Sequence, residues 1–219
     1  MDAGAVTAGR GTVPEEVPLL WWFVAAPALA GAPADPFGDV VRDEAERYRL
    51  HVELSTLAAK NAWSGVDRTY RKLEALGPVD LDDAALGAQA ARTAGDVLGA
   101  IERLERSIAG IPWTDDPASA YVRARRQIDV MLDHHGYVHV AVYLPHPPAL
   151  EVDPPPFAPE DQAAIAFAAK RLDKDGGFMG LLPIGRYAIG DVTFVVAARA
   201  PMVEVRVGTP PSSGSVIQR

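Results

Sequence analysis

The sequence predicts an α+β protein in which an all-helical half precedes a mostly β half. Two observations carry this. Between Asp39 and Asp133 the apolar residues recur at helical spacing, and after Gly136 the period drops from 3.6 to 2. Glycine–proline punctuation divides the helical half into short elements rather than one long rod.

From Asp39 to Leu76, Leu50, Leu54, Leu57 and Ala58 form one stripe and Val66, Tyr70 and Leu73 another, and Gly77-Pro78 ends the segment. A second helical pair, Asp82–Thr93 and Asp96–Ala109, closes at Gly110 and Pro112. The next helix, 117–133, has Asp116 as N-cap and Pro117 at its first position, with Tyr121, Ile128 and Leu132 on its buried side. Asp82, Asp83 and Asp115 also read as N-caps. In the β half, residues 137–144 alternate, with Val138, Val140, Val142 and Leu144 on one face and Tyr137, His139, Ala141 and Tyr143 on the other. The proline-rich 145–159 predicts a loop or an edge. A helix over 160–172 follows, with Glu160 and Asp161 at its positive end. Three strand-like runs then occupy "FMGLL", "RYAIGDVTFVVAA" and "MVEVRV", and the tail 209–219 reads as flexible.

An offset of 34 residues pairs Pro78 with Pro112, Val66 with Ala100, Tyr70 with Leu104 and Leu54 with Ala88. Helix–turn–helix units at that period are the tetratricopeptide signature. Residues 95–112 resemble that family: Gly95-Asp96 sits at the turn, and Ala100, Leu104, Ser107 and Pro112 hold its small, large, small and proline positions. The first repeat, about 47–80, places Asn61-Ala62 at the turn and Leu54 where a small residue is usual. The resemblance covers about 47–114. It implies a stack of antiparallel helical hairpins, capped by helices at 39–46 and 117–133, with a groove for a protein or peptide. Asn61, Arg68, Arg92 and Arg103 are the candidate partner-binding residues.

"GFMGLLPIGRY" (177–187) resembles the carboxypeptidase-regulatory-like and PEGA group of β-sandwich modules, over about 136–207. The resemblance implies a small antiparallel β-sandwich, with the 160–172 helix inserted. "LLPIGRY" is then a tight turn joining two antiparallel strands, in which Pro183 fixes one φ, Gly185 supplies a positive φ and Tyr187 opens the next strand. The domains are thus a signal peptide at 1–30, a helical domain at 37–134, a β domain at 136–208 and the tail.

The segment 18–30, "PLLWWFVAAPALA", is apolar but too short to span a bilayer, and Ala28-Leu29-Ala30 fits a cleavage site. The expectation is export to the periplasm or beyond, with no integral membrane segment after cleavage; the alternative is a cytoplasmic protein with an apolar arm. With a net charge of −8 and a pI of about 5.1, no basic stripe is available for nucleic acid. The Arg123, Arg125 and Arg126 cluster reads as a solvated face. The absence of cysteine excludes disulfides, thiolate metal sites and a thiol nucleophile.

Four of the five histidines, His134, His135, His139 and His146, lie close together in sequence, but adjacent residues at a helix end do not easily share one ion. They read as exposed or capping, and no metal or cofactor is expected. "DKDGG" opens like a calcium loop but has Ile184 at the twelfth position, so it reads as a helix-terminating turn. Trp63 and Trp113 fit repeat packing. No catalytic motif is present, and the expected function is non-enzymatic interaction or scaffolding in the cell envelope. The rivals are glycan binding by β-half aromatics such as Tyr137, Tyr143 and Phe157, and an enzyme site at the junction near Asp133, His134 and His135.

Overall fold

Leu50 and Leu54 fix the start of the helical half: both are fully buried, four residues apart on a long helix that is otherwise largely exposed. In the computed structural model, residues 36–114, 116 and 118–210 are described; residues 1–35, which include the segment expected to be a signal peptide, and residues 211–219 lie outside them. The helices are α1 (Pro36–Ala59), α2 (Trp63–Ala75), α3 (Leu81–Thr93), α4 (Val97–Ile108), α5 (Ala120–His134) and α6 (Pro159–Asp175). The strands are β1 (His135–Val142), β2 (Leu150–Asp153), β3 (Gly177–Pro183), β4 (Gly185–Ile189), β5 (Val192–Val196) and β6 (Val203–Val207). The fold class is therefore α+β, with helices first and sheets after.

The helical half repeats itself in backbone detail. α1 ends 34 residues before α3, and α2 starts 34 residues before α4. At the two hairpin turns, Asn61 (φ 53°) and Gly95 (φ 86°) occupy the left-handed region. The Ala62 and Asp96 N–H groups close both turns on the Leu57 and Ala91 carbonyls, each at 2.9 Å. Asn61 is thus a turn residue, tolerated there because a short amide side chain suits left-handed backbone. The separate capping helix expected at 39–46 does not exist, because α1 runs unbroken through that segment.

Caps differ from expectation by two or three residues. α3 is capped by Asp80, whose carboxylate accepts the Asp83 N–H at 2.8 Å, so Asp82 and Asp83 lie in the first turn. α5 is capped by Ser119, which accepts from Val122 N–H. Asp116 instead accepts the Ala118 N–H, one step upstream, while Asp115 and Pro117 lie outside the described residues. Gly176, at φ 66°, terminates α6, as read from "DKDGG".

The change from helix to strand falls between His134 and His135. Two three-stranded sheets follow, in the orders β3-β1-β6 and β2-β4-β5. The second is antiparallel. In the first, β1 is antiparallel to β3 but parallel to β6, which departs from the all-antiparallel expectation. The proline-rich segment contributes β2 as an edge strand, where missing amide donors are tolerated. Both sheets and α6 meet in one core containing Val138, Val140, Leu172, Phe178, Leu182, Tyr187, Ile189 and Val205. The packing continues across the helix–strand boundary, because Ala164 of α6 and Leu181 of β3 belong to the cluster formed by α3, α4 and α5.

"LLPIGRY" is not a hairpin. β3 and β4 belong to different sheets, and the chain passes from one to the other at Ile184, whose N–H donates to the His134 carbonyl at 3.1 Å. Gly185 does not have a positive φ, and the local geometry is that of a corner rather than a tight turn. Tyr187 secures that corner. Its ring is buried, its hydroxyl donates to the Pro183 carbonyl at 2.8 Å, and it stacks on Phe194 at 5.5 Å.

Candidate functional site

The four residues expected to line a groove are dispersed, and no hydrogen bond or ion pair joins any two of them among the described residues. Asn61 serves the first hairpin turn, and Arg68 is exposed on α2. Arg103 is interior. Its guanidinium donates to the Gly87 carbonyl and to Asp67 Oδ1, both at 2.6 Å, and lies 4.5 Å from the centre of the Tyr70 ring. It joins α2, α3 and α4, and it also borders an open cavity beside Tyr70, Glu74 and Arg106. Trp113, placed by its sequence in repeat packing, is instead 76% exposed.

Arg92 alone of the four borders the most distinctive cavity. This cleft, of about 680 Å³, lies where α3, α4 and α5 meet the start of α6. Val97, Val130, Met131, Ala158 and Pro159 give it an apolar lining. One side is closed by an ion pair from Arg92 to Glu160 in the first turn of α6. On another side is His135, more than nine-tenths buried and so not the exposed residue its sequence suggested.

The state of the His135 ring follows from its partners. Nδ1 lies 2.9 Å from the Met131 carbonyl oxygen, which can only accept, so Nδ1 carries the proton. Burial pushes the ring's pKa below its ordinary value, and this favours the neutral form. Nε2 is then a lone pair. It has no hydrogen-bond partner, and Asp161 Oδ1 lies 3.5 Å away. Two acceptors facing each other in a partly desolvated site leave a position that a donor hydrogen would satisfy.

The junction histidines thus separate by role. His134 is exposed, and Asp133 is engaged outside by Arg199 at 2.6 Å, a contact that fastens the β5–β6 connection onto α5. Among the described residues, no hydroxyl, thiol or lysine amine lines the cleft. A second cluster, His51 with Asp80 and Asp83, stands in the groove between α1 and α3. It escaped the sequence reading because His51 and Asp83 are far apart in the chain. The 34-residue repeat, which sets α1 beside α3, was the signal that could have found it. Comparison with family models, curated proteins and solved structures finds no match for this chain.

Proposed function

We propose that this chain is a non-enzymatic, exported interaction protein, and that it receives a protein partner at the junction cleft. The observation that carries the reading is the unpaired Nε2 of buried His135, facing Asp161 at the wall of an apolar cavity. Cavities of a few hundred Å³ with an apolar lining and a few convergent polar groups are the usual form of a binding site. Here the polar groups define the ligand. An imidazole lone pair beside a carboxylate accepts and does not donate, so the complementary group is an N–H or an ammonium. Arg92 adds no free cation, because Glu160 pairs with it. A basic side chain flanked by apolar residues fits this lining, and the net charge of −6 left after removal of residues 1–30 (20 basic against 26 acidic residues) favours its approach.

The test is a photo-cross-linking residue in place of Val130, which is 55% exposed on the rim, in the full chain expressed in its native host. The expected product is a cross-link to a protein segment containing lysine or arginine, formed by a chain whose N-terminus lies near Gly31. Asp161→Asn should weaken the product severalfold. A product consisting of polysaccharide, or a protein cross-link indifferent to Asp161→Asn, would overturn the reading. Intact Met1 in a cytoplasmic fraction would remove export.

A further inference from the structure

We infer that His51, Asp80 and Asp83 form a binding site for one divalent cation of the zinc class, in the groove between α1 and α3. The geometry is that of ligands around a single ion. One donor atom from each residue lies within 4.8 Å of the others. His51 Nδ1 is 2.9 Å from both carboxylate oxygens of Asp83. Tetrahedral ligands on an ion with bonds of roughly 2.1 Å stand about 3.4 Å apart, so binding would open this spacing by roughly half an ångström.

A second observation is the condition of Asp83 itself. Its side chain is 3% exposed, and the donor that reaches it is one imidazole N–H, although an ionised carboxylate has about four acceptor positions. A buried carboxylate so poorly supplied calls for a cation. Among the described residues, the one positive charge the fold can offer it is a protonated His51 at 2.9 Å, and a metal ion would compete with that proton for Nδ1. The charged and titratable groups around Asp83 are His51, Asp80 and Asp82. Arg47 borders the same cavity, but its guanidinium is bonded to the Leu76 and Pro78 carbonyls. Asp80 uses Oδ1 to cap α3, and Oδ2 has no hydrogen-bond partner among the described residues. His51 and Asp80 are exposed, and the cavity of about 400 Å³ gives entry and room for water to complete the coordination.

The donor set selects the metal. One imidazole nitrogen with two carboxylates suits zinc and its neighbours. Calcium requires six to eight oxygens, and soft monovalent copper prefers sulfur. Binding would replace the proton on Nδ1, linking α1 to α3 through an ion instead of a single hydrogen bond.

The experiment is calorimetric titration of the chelator-treated full chain with zinc chloride at neutral pH. The parent should bind one ion per chain saturably. Asp80→Ser retains a capping oxygen for Asp83 N–H but removes a ligand, and His51→Gln removes another. Each should raise Kd at least about tenfold while the metal-free protein stays folded. Because His134, His139 and His146 are exposed and can bind zinc nonspecifically, unchanged affinity in both variants would overturn the proposal. So would displacement of zinc by an equal concentration of calcium, or the absence of saturable heat in the parent.

Discussion

Replacing Arg103 by methionine removes the guanidinium but keeps most of the apolar stem, and so isolates what the charge contributes. The side chain is 7% exposed, so the two hydrogen bonds it donates are largely shielded from water. Losing the bond to the Asp67 carboxylate costs about 1.5–3 kcal/mol, and losing the second bond to the Gly87 carbonyl, which keeps its partner within α3, about 0.5–1 kcal/mol more. The cation–π contact with Tyr70 adds roughly 0.5–1 kcal/mol. Two facts moderate the total: Asp67 is 21% exposed, and it keeps Arg71 at 3.1 Å. The expected loss is therefore about 3 kcal/mol, or roughly 6–12 °C in Tm for a protein of this size. Urea unfolding at neutral pH measures it, with an unchanged m-value as the sign of an intact native state. Arg103→Lys should fall between parent and Met, because an ammonium reaches one acceptor where the guanidinium fork reaches two. Arg68→Ala, on the exposed face of α2, should stay within about 0.5 kcal/mol of the parent. A loss below about 1 kcal/mol for Arg103→Met would refute the interior-clamp reasoning. Lost partner binding at unchanged stability would restore Arg103 to a recognition surface.

Glycine substitutions should rank by backbone geometry. Gly95→Ala drives a Cβ into the Ala163 carbonyl oxygen with φ at 86° and should cost about 3 kcal/mol or more, whereas Gly185→Ala meets only Tyr187 Cε2 at 3.6 Å and Val152 Cγ2 at 3.8 Å and should change stability by under about 1 kcal/mol. Equal losses in chemical unfolding would contradict the corner geometry. His135 should make folding stability fall with acid. Its native pKa is pushed below the ordinary 6.5 by burial, so below that pH the unfolded chain binds a proton that the native chain resists, and above it both are neutral. His135→Gln should flatten the decline between pH 7.5 and pH 5.5, and identical slopes for parent and variant would refute it.

The helical half was legible because its signals are local. Gly77-Pro78 and Gly110–Pro112 mark the helix ends, and the stripe of Val66, Tyr70 and Leu73 marks a buried face that is buried as read. The alternation of Val138, Val140 and Val142 placed β1 on the same grounds. What failed were questions that local residues do not answer. "LLPIGRY" has the composition of a tight turn, but whether β3 and β4 pair depends on strands far away in the chain. Arg103 reads as a groove-lining, partner-binding residue until Asp67 on the neighbouring α2 is brought against it. Adjacent histidines look equivalent, yet at a helix-to-strand change the backbone reorients, so His134 faces water and His135 the interior. The four candidate groove residues shared only polarity and helical position, which did not distinguish a turn, an interior clamp and a cleft wall.

The parallel pairing of β1 with β6 has a consequence for how the molecule is made. Each helical hairpin finds its contacts within a few dozen residues and can assemble as it emerges during synthesis. β1 is the central strand of its sheet, but one neighbour is β3 and the other, β6, spans Val203–Val207. Until that last strand is delivered, one edge of β1 remains open, with Val138, Val140 and Val142 lacking their full cover. The nascent chain therefore carries a finished helical half beside an adhesive, incomplete sheet. A ribosome that stops short of Val203 would release a protein whose first half is sound and whose second is prone to pair with another copy of itself.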